Sequence, residues 1–229
     1  MAIYGIADLH LDSSGEKPMD IFGEKWDRHE EKIFEYWQET VKSEDLVLIP
    51  GDVSWALKAE EAYIDLKKID ELPGKKVISK GNHDYWWVTK SKLESLQLDT
   101  IHFLYNDNFI YKDIAICGTR GWPTKDSDEF DEHDEKIYSR EVNRLDLSLS
   151  SVKTDVKTKV AMLHYPPFNM ENKEPNEFIN VMLKHGVSIC VYGHLHSEGH
   201  RLAFEGNIEG IDFYCISSDY IDFKLKQLL

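Results

Sequence analysis

The stretch Val77-Ile78-Ser79-Lys80-Gly81-Asn82-His83-Asp84 decides how this chain reads. A β-branched pair opens it as a strand, and a glycine followed by a carboxamide, an imidazole and a carboxylate closes it in a sharp polar turn. The same unit recurs along the chain. Ile3 to Ala7 runs into Asp8, Leu46 to Ile49 into Pro50-Gly51-Asp52, Ile114 to Cys117 into Gly118-Thr119-Arg120, Val160 to Leu163 into His164, and Ile189 to Tyr192 into Gly193-His194. Apolar runs this short and continuous suit strands buried on both faces. Reactive side chains then stand at the C-terminal ends of successive strands, which the simplest reading places in one sheet.

Helical periodicity fills the spaces between the early strands. Residues 26–42 put Ile33, Phe34, Trp37 and Val41 on one face, and 57–72 do the same with Ala62, Leu66 and Ile69 before Pro73-Gly74 stops them. Further helices are predicted over 90–96, 135–149 and 177–184. After Gly199 alternating residues predict antiparallel strand, with a turn near Glu205-Gly206-Asn207. Residues 118–159 read as an irregular, charge-rich insertion near the strand ends, on a single domain spanning 1–229. The fold class is α/β, a sandwich and not a barrel.

The chain has 229 residues and a net charge of −15, from 42 acidic against 27 basic side chains. Such a field disfavours an extended nucleic acid, whose backbone must be neutralised by clustered Lys and Arg. With 41% hydrophobic and 30% charged residues the composition is that of a globular protein. No apolar run approaches the ~20 residues that span a bilayer. The N-terminus lacks a basic, cleavable leader, so the expected location is the cytoplasm. Cys117, Cys190 and Cys215 each lie in an apolar run, as reduced, buried small hydrophobes do.

The strand ends supply Asp8 and His10, Asp52, Asn82 and His83, His164, and His194 and His196. Singly, each is explained as a turn, a cap or a hydrogen-bonded core residue. Their recurrence at one end of every strand is not. Asp-x-His and His-x-His point two donors to the same side of an extended segment, and imidazole with carboxylate is the ligand set of Mn, Fe, Zn or Ni. Two such ions roughly 3.5 to 4 Å apart clamp a phosphoryl group.

In these blocks the chain resembles the calcineurin-like metallophosphoesterases: Asp8-Leu9-His10, Gly51-Asp52, Gly81-Asn82-His83-Asp84, His164, and Gly193-His194-Leu195-His196, in order from Met1 to about His200. The resemblance implies a four-layer αββα sandwich of mixed sheets with a dinuclear centre at the strand ends. It implies Asp8, His10 and His196 on one metal, Asn82, His164 and His194 on the other, and Asp52 bridging. His83 would act on substrate without ligating metal. The implied ions are two transition metals per chain, Mn first, with Fe or Zn as alternatives. The implied reaction is in-line attack of a metal-bound hydroxide on phosphorus, with His83 protonating the leaving oxygen or stabilising the transition state.

Three residues beyond Asp52 stands Trp55, where the protein phosphatases, the Mre11-like nucleases and the purple acid phosphatases carry aspartate, histidine and tyrosine. Indole neither ligates metal nor serves as an acidic or basic partner for His83. Around the site, Arg120 is a candidate phosphate clamp, and Arg140, one turn before Arg144, a second anion contact. Trp86, Trp87 and Trp122 are candidate stacking surfaces. The remaining histidines, 29, 102, 133, 185 and 200, have no informative spacing. The expected function is hydrolysis of a phosphate monoester or diester of a small molecule, away from any membrane. A cyclic-nucleotide phosphodiesterase or nuclease is the alternative, and a non-catalytic scaffold of the same fold is the alternative from another class.

Overall fold

The computed structural model describes residues 1–229. In chain order the elements are β1 (Ile3–Gly5), α1 (His29–Thr40), β2 (Leu46–Pro50), α2 (Ala59–Glu71), β3 (Lys75–Ser79), α3 (Lys90–Glu94), β4 (Ile101–Phe103), β5 (Phe109–Tyr111), β6 (Ile114–Thr119), α4 (Glu132–Ser150), β7 (Thr158–Leu163), α5 (Glu177–Lys184), β8 (Ile189–Tyr192), β9 (Gly206–Ile208), β10 (Ile211–Cys215) and β11 (Lys226–Gln227). They form a five-stranded sheet, β11-β1-β2-β3-β4, and a six-stranded sheet, β5-β6-β7-β8-β10-β9. Strands β1 to β4 are parallel, as are β6, β7, β8 and β10, while β11, β5 and β9 add antiparallel edges.

Two mixed sheets therefore stand where the strand pattern alone suggests one. The reason is visible in the alternation. Leu46 and Leu48 of β2 face the space between the sheets, together with Val160 and Met162 of β7 and Ile189 and Val191 of β8. Val47 and Ile49 face α1 and α2. Ala161, Leu163, Cys190 and Tyr192 face α4 and α5. Each strand is buried on both faces, so its apolar run is continuous whichever sheet it joins. The layers are helix, sheet, sheet, helix. Cys117, Cys190 and Cys215 are buried and unbonded in the outer core of the second sheet.

Much of 118–159 is ordered crossover rather than irregular insertion. Helix α4 links the parallel neighbours β6 and β7, and Asp131 and Asp134 close a capping box at its start. The C-terminal hairpin turns at Glu209-Gly210, both at positive φ, and not at 205–207, where Gly206 and Asn207 already pair with β10. Strands β4, β5 and β11 are too short to show a pattern in the sequence.

No helix is long and apolar enough to cross a membrane. The loops after β2 and β3 touch through glycines: a Cβ on Gly51 would lie 2.5 Å from Gly81 Cα, and one on Gly81 would collide with Asp52. That contact brings Asp52 beside Asn82 and His83.

Candidate metal centre

The C-terminal ends of β1, β2, β3, β7 and β8 converge between the sheets. Asp8 N–H donates to Gly51 O and His10 N–H to Asp52 O, each at 3.0 Å, so the first two loops run side by side. Asp8, His10, Asp52 and His194 all adopt the left-handed backbone, at φ 60°, 47°, 53° and 73°. For a residue with a Cβ that conformation costs about 1–2 kcal/mol. Strain of this kind collects where side chains must converge.

Each carboxylate spends one oxygen on position and presents the other to imidazoles. Asp52 Oδ1 accepts His83 N–H at 2.8 Å, while Oδ2 lies 3.5 Å from His164 Nε2 and 3.9 Å from His10 Nε2. Asp8 Oδ2 accepts His194 N–H at 2.9 Å. Its Oδ1 is buried without a hydrogen-bond partner, 3.6 Å from His196 Nε2. His164 Nδ1 sits 3.0 Å from the Pro50 carbonyl, which leaves a lone pair at Nε2, 2.5 Å from Asn82 Oδ1. His194 Nδ1 is 3.0 Å from that same oxygen, and His10 and His196 bring their Nε2 atoms to 3.4 Å.

Lone pairs facing one another in a buried space fit a cation. Two groups of ligand atoms gather, Asp8 with His10 and His196, and Asp8 with Asp52 and His164, consistent with a dinuclear metal site. Asp52 Oδ2 reaches imidazoles of both groups. Five of the seven expected ligand positions fall in these two groups, Asp8 in both, and Asn82 and His194 lie beside His164 through the contacts above.

Without metal the cluster is electrostatically tense. Burial, and after it the charge of Asp8, pushes Asp52 up to about 8. Burial opposes a charged His196, but the carboxylates of Asp8 and Asp219 outweigh it and raise its pKa to about 10. Burial and then His164 lower His194 to about 3. At pH 7 His196 and the Asp52 carboxyl accordingly hold protons where cations would sit. Metal uptake at pH 7 is expected to release protons, and affinity should weaken as pH falls below 10, approaching about tenfold per unit for each proton displaced. Calorimetry in buffers of different ionisation enthalpy reads the release. Uptake without proton release would contradict it.

Nothing in the sequence reading singles out Asp219, yet it holds this histidine. It accepts from His196 Nδ1 at 2.8 Å and from Ser197 N–H at 3.1 Å, and it is buried. A carboxylate behind a ligating imidazole fixes tautomer and direction. Asp219 ends Ile216-Ser217-Ser218-Asp219 after β10, the same strand-then-polar-turn unit as the ligand loops, which is the signal that would have found it. Asp219→Ala is expected to weaken metal binding about 10- to 100-fold, measured by competition with a chelating dye.

Asp84 also works through the backbone. It is fully buried and accepts N–H groups of Asp52 (2.9 Å), Val53 (2.9 Å) and Gly81 (2.7 Å) and Trp86 Nε1 (3.0 Å), pinning the two loops together. Trp86 is therefore a core residue and not a stacking surface. His83 has no carboxylate partner. Its ring packs against Trp55 at 4.6 Å, and Trp55 in turn stacks on His10 at 4.8 Å and donates Nε1–H to Met19 Sδ. The indole supplies an apolar wall that sets the ring plane. Burial, and then His164, lowers the His83 pKa and keeps it neutral at pH 7.

The Arg120 and Arg140 side chains make no hydrogen bond or ion pair with the proposed ligands; Arg120 meets them only through its carbonyl, which accepts the His164 N–H at 2.9 Å. Both line a cavity beside the centre, with Trp87. Trp122 is tied to Asp134 by its Nε1–H (2.9 Å) and lies under the Arg120 guanidinium at 4.4 Å.

Residues 1–198 match the family model for calcineurin-like phosphoesterases. No curated protein matches the chain. Among solved structures, the chain is similar to TT1561 of Thermus thermophilus, with a TM-score of 0.59 at 12% identity, covering 99% of this chain and 97% of that one. It is also similar to AQ665, a protein of unknown function from Aquifex aeolicus, with a TM-score of 0.51 at 17% identity, covering 99% and 95%. At these identities the likeness is one of fold.

Proposed function

Since the chain belongs to the calcineurin-like phosphoesterase family, we propose that it is a metal-dependent phosphohydrolase acting on a phosphate monoester or diester of a small molecule. The observation that carries this reading is the convergence of Asp8, His10, Asp52, Asn82, His164, His194 and His196 on one buried space lined with unshared lone pairs. Asp8, His10 and His196 would hold one ion and Asn82, His164 and His194 the other, with Asp52 between them. Two divalent ions, when bound, supply Lewis-acid charge to phosphoryl oxygens and acidify water. The seven side chains contribute two formal negative charges, from Asp8 and Asp52, so the loaded centre remains positive and attracts an anion despite the acidic surface.

The protein's own part in the chemistry falls to His83. Burial and neighbouring cations both disfavour an imidazolium there, so the ring offers a neutral N–H. That group is suited to hydrogen-bond charge growing on the leaving oxygen, more than to delivering a proton as a strong acid. Asp52 holds the His83 backbone N–H, which couples the position of the ring to the ligand set. Asn82 offers a ligand oxygen without adding negative charge to a centre that must bind an anion.

The test is hydrolysis of 4-nitrophenyl phosphate and bis(4-nitrophenyl) phosphate by Mn-loaded protein. Turnover of at least one is expected. Absence of turnover on both, at a level no different from His83→Ala, would overturn the reading.

A further inference from the structure

The cavity beside the metal centre has a volume of about 510 Å³ and opens between the ends of β3 and β6 and the flank of α4. Its charge runs against that of the molecule. Lys80, Arg120, Arg140 and Arg144 line it, and Glu141 is its single acid, in a chain with a net charge of −15. Lys80 and Arg140 reach no carboxylate within salt-bridge distance.

Glu141 organises the cluster without saturating it. The carboxylate is buried, takes the Thr119 hydroxyl on Oε2, and lies 3.8 Å from Arg120 Nη2 and 3.5 Å from Arg144 Nη1 through Oε1. Those separations leave guanidinium N–H groups uncommitted, and Arg120 Nε is buried with no partner. The Arg120 guanidinium meanwhile sits over the Trp122 ring, 4.4 Å from its centroid. A half-buried guanidinium packed on an indole, with unspent donors, is suited to a phosphate.

The cavity and the metal ligands share a wall. Lys80 directly precedes Gly81-Asn82, and the Arg120 carbonyl accepts the N–H groups of His164 at 2.9 Å and Tyr165 at 3.0 Å. Tyr165 packs on His194 at 4.2 Å and on Trp122 at 5.7 Å. The cavity lining and the ligand loops are thus joined through the backbone at Lys80 and Arg120, which puts the two on neighbouring strand ends. The cavity volume falls within the range of about 300–1,000 Å³ typical of small-molecule sites.

We propose that this cavity binds a second, non-reacting phosphoryl group, so that the substrate is a small molecule carrying two phosphates, one presented to the metal centre and one held by Lys80, Arg120, Arg140 and Arg144. The assignment rests on the hydrolase reading for the first phosphate and on the cavity for the second. It explains why an acidic protein concentrates cations at this one place: an anion of charge near −2 offsets the cost of holding four cations around a single carboxylate. It also narrows the substrate class from any phosphate ester to a bisphosphorylated one.

The experiment compares the monophosphates and α,ω-bisphosphates of butane-, hexane- and octanediol as substrates of Mn-loaded protein. At the chain length that spans the two sites, kcat/KM is expected to favour the bisphosphate by about 10- to 100-fold. In Arg140→Ala/Arg144→Ala that ratio should fall toward one, and Lys80→Gln, approaching from the other sheet, should lower it independently should the double variant fold poorly. Calorimetric titration of the metal-free protein with inorganic phosphate supplies a second readout, with binding that both variants weaken. Equal kcat/KM for mono- and bisphosphates at every length, with ratios unchanged in the variants, would overturn the second-phosphate site while leaving the hydrolase intact. Phosphate binding lost in the variants, in a protein that hydrolyses neither series, would instead uphold the cavity as a phosphate site and overturn the hydrolase.

Discussion

Asp52→Asn is expected to lower the metal content from two ions per chain to one at most and to reduce hydrolysis of aryl phosphates by about 10²–10³-fold. The reason is that Asp52 Oδ2 stands between the two imidazole groups, 3.5 Å from His164 Nε2 and 3.9 Å from His10 Nε2. Asparagine keeps the shape and can still accept the His83 N–H on its oxygen. It removes one of the two formal negative charges of the ligand set and leaves a carboxamide that bridges ions poorly. Burial already raises the Asp52 pKa to about 8 in the metal-free protein. The ionised form therefore depends on cations, and the two should be lost together. Elemental analysis of the reconstituted variant reads the first part and a spectrophotometric assay the second. Retention of two ions with full activity would show that Asp52 does not bridge.

Replacement of His83 should separate chemistry from metal binding. His83→Ala is expected to keep two ions per chain and lose about 10²–10⁴-fold in kcat. Its ring faces Trp55, and its backbone N–H is held by Asp52 Oδ1. His83→Gln distinguishes the two roles open to the ring. A carboxamide N–H can hydrogen-bond the leaving oxygen but cannot protonate it, so His83→Gln should retain about tenfold more activity than His83→Ala if the neutral donor role is correct. Esters with poor leaving groups should suffer more from either change than nitrophenyl esters, whose leaving oxygen needs little help. Equal activity of the alanine and glutamine variants across leaving groups would favour proton transfer.

Much of this site is legible in the sequence because the chemistry sits where the chain signals it. A strand buried on both faces shows as an unbroken apolar run, and its end is marked by glycine and polar residues. Hence Asp8, Asp52, Asn82, His164 and His194 can each be placed at a strand end. What the runs do not carry is the choice of sheet. Leu46 and Val160 meet in the same inner core from different sheets, yet each run reads alike.

Residues that act on the backbone are harder to see. Asp84 serves four donors on two loops, and nothing in its neighbourhood predicts those partners. Asp219 lies far from the ligand blocks, and only the fold brings it behind His196. Trp55 reads as a missing partner for His83, whereas in the structure it is the surface on which the ring rests. The basic cavity is half legible: Arg120 and Arg140 stand out in an acidic chain, while Lys80 comes from the other sheet and joins them only once the two sheets pack.

The acidity of the chain also takes on a more local meaning. The net charge of the chain disfavours polyanions, while the lining of one cavity is basic. The proposed attraction for phosphate is confined to that cavity and the proposed metal centre.

Seven side chains from five strand ends are proposed to build a two-metal centre. The decisive measurement is diffraction at the Mn absorption edge from crystals of Mn-loaded protein. Two anomalous peaks are expected in the space between the sheets, one bounded by Asp8, His10 and His196 and the other by Asn82, His164 and His194, with Asp52 reaching both. A single peak, or peaks that avoid these residues, would contradict the two-metal centre.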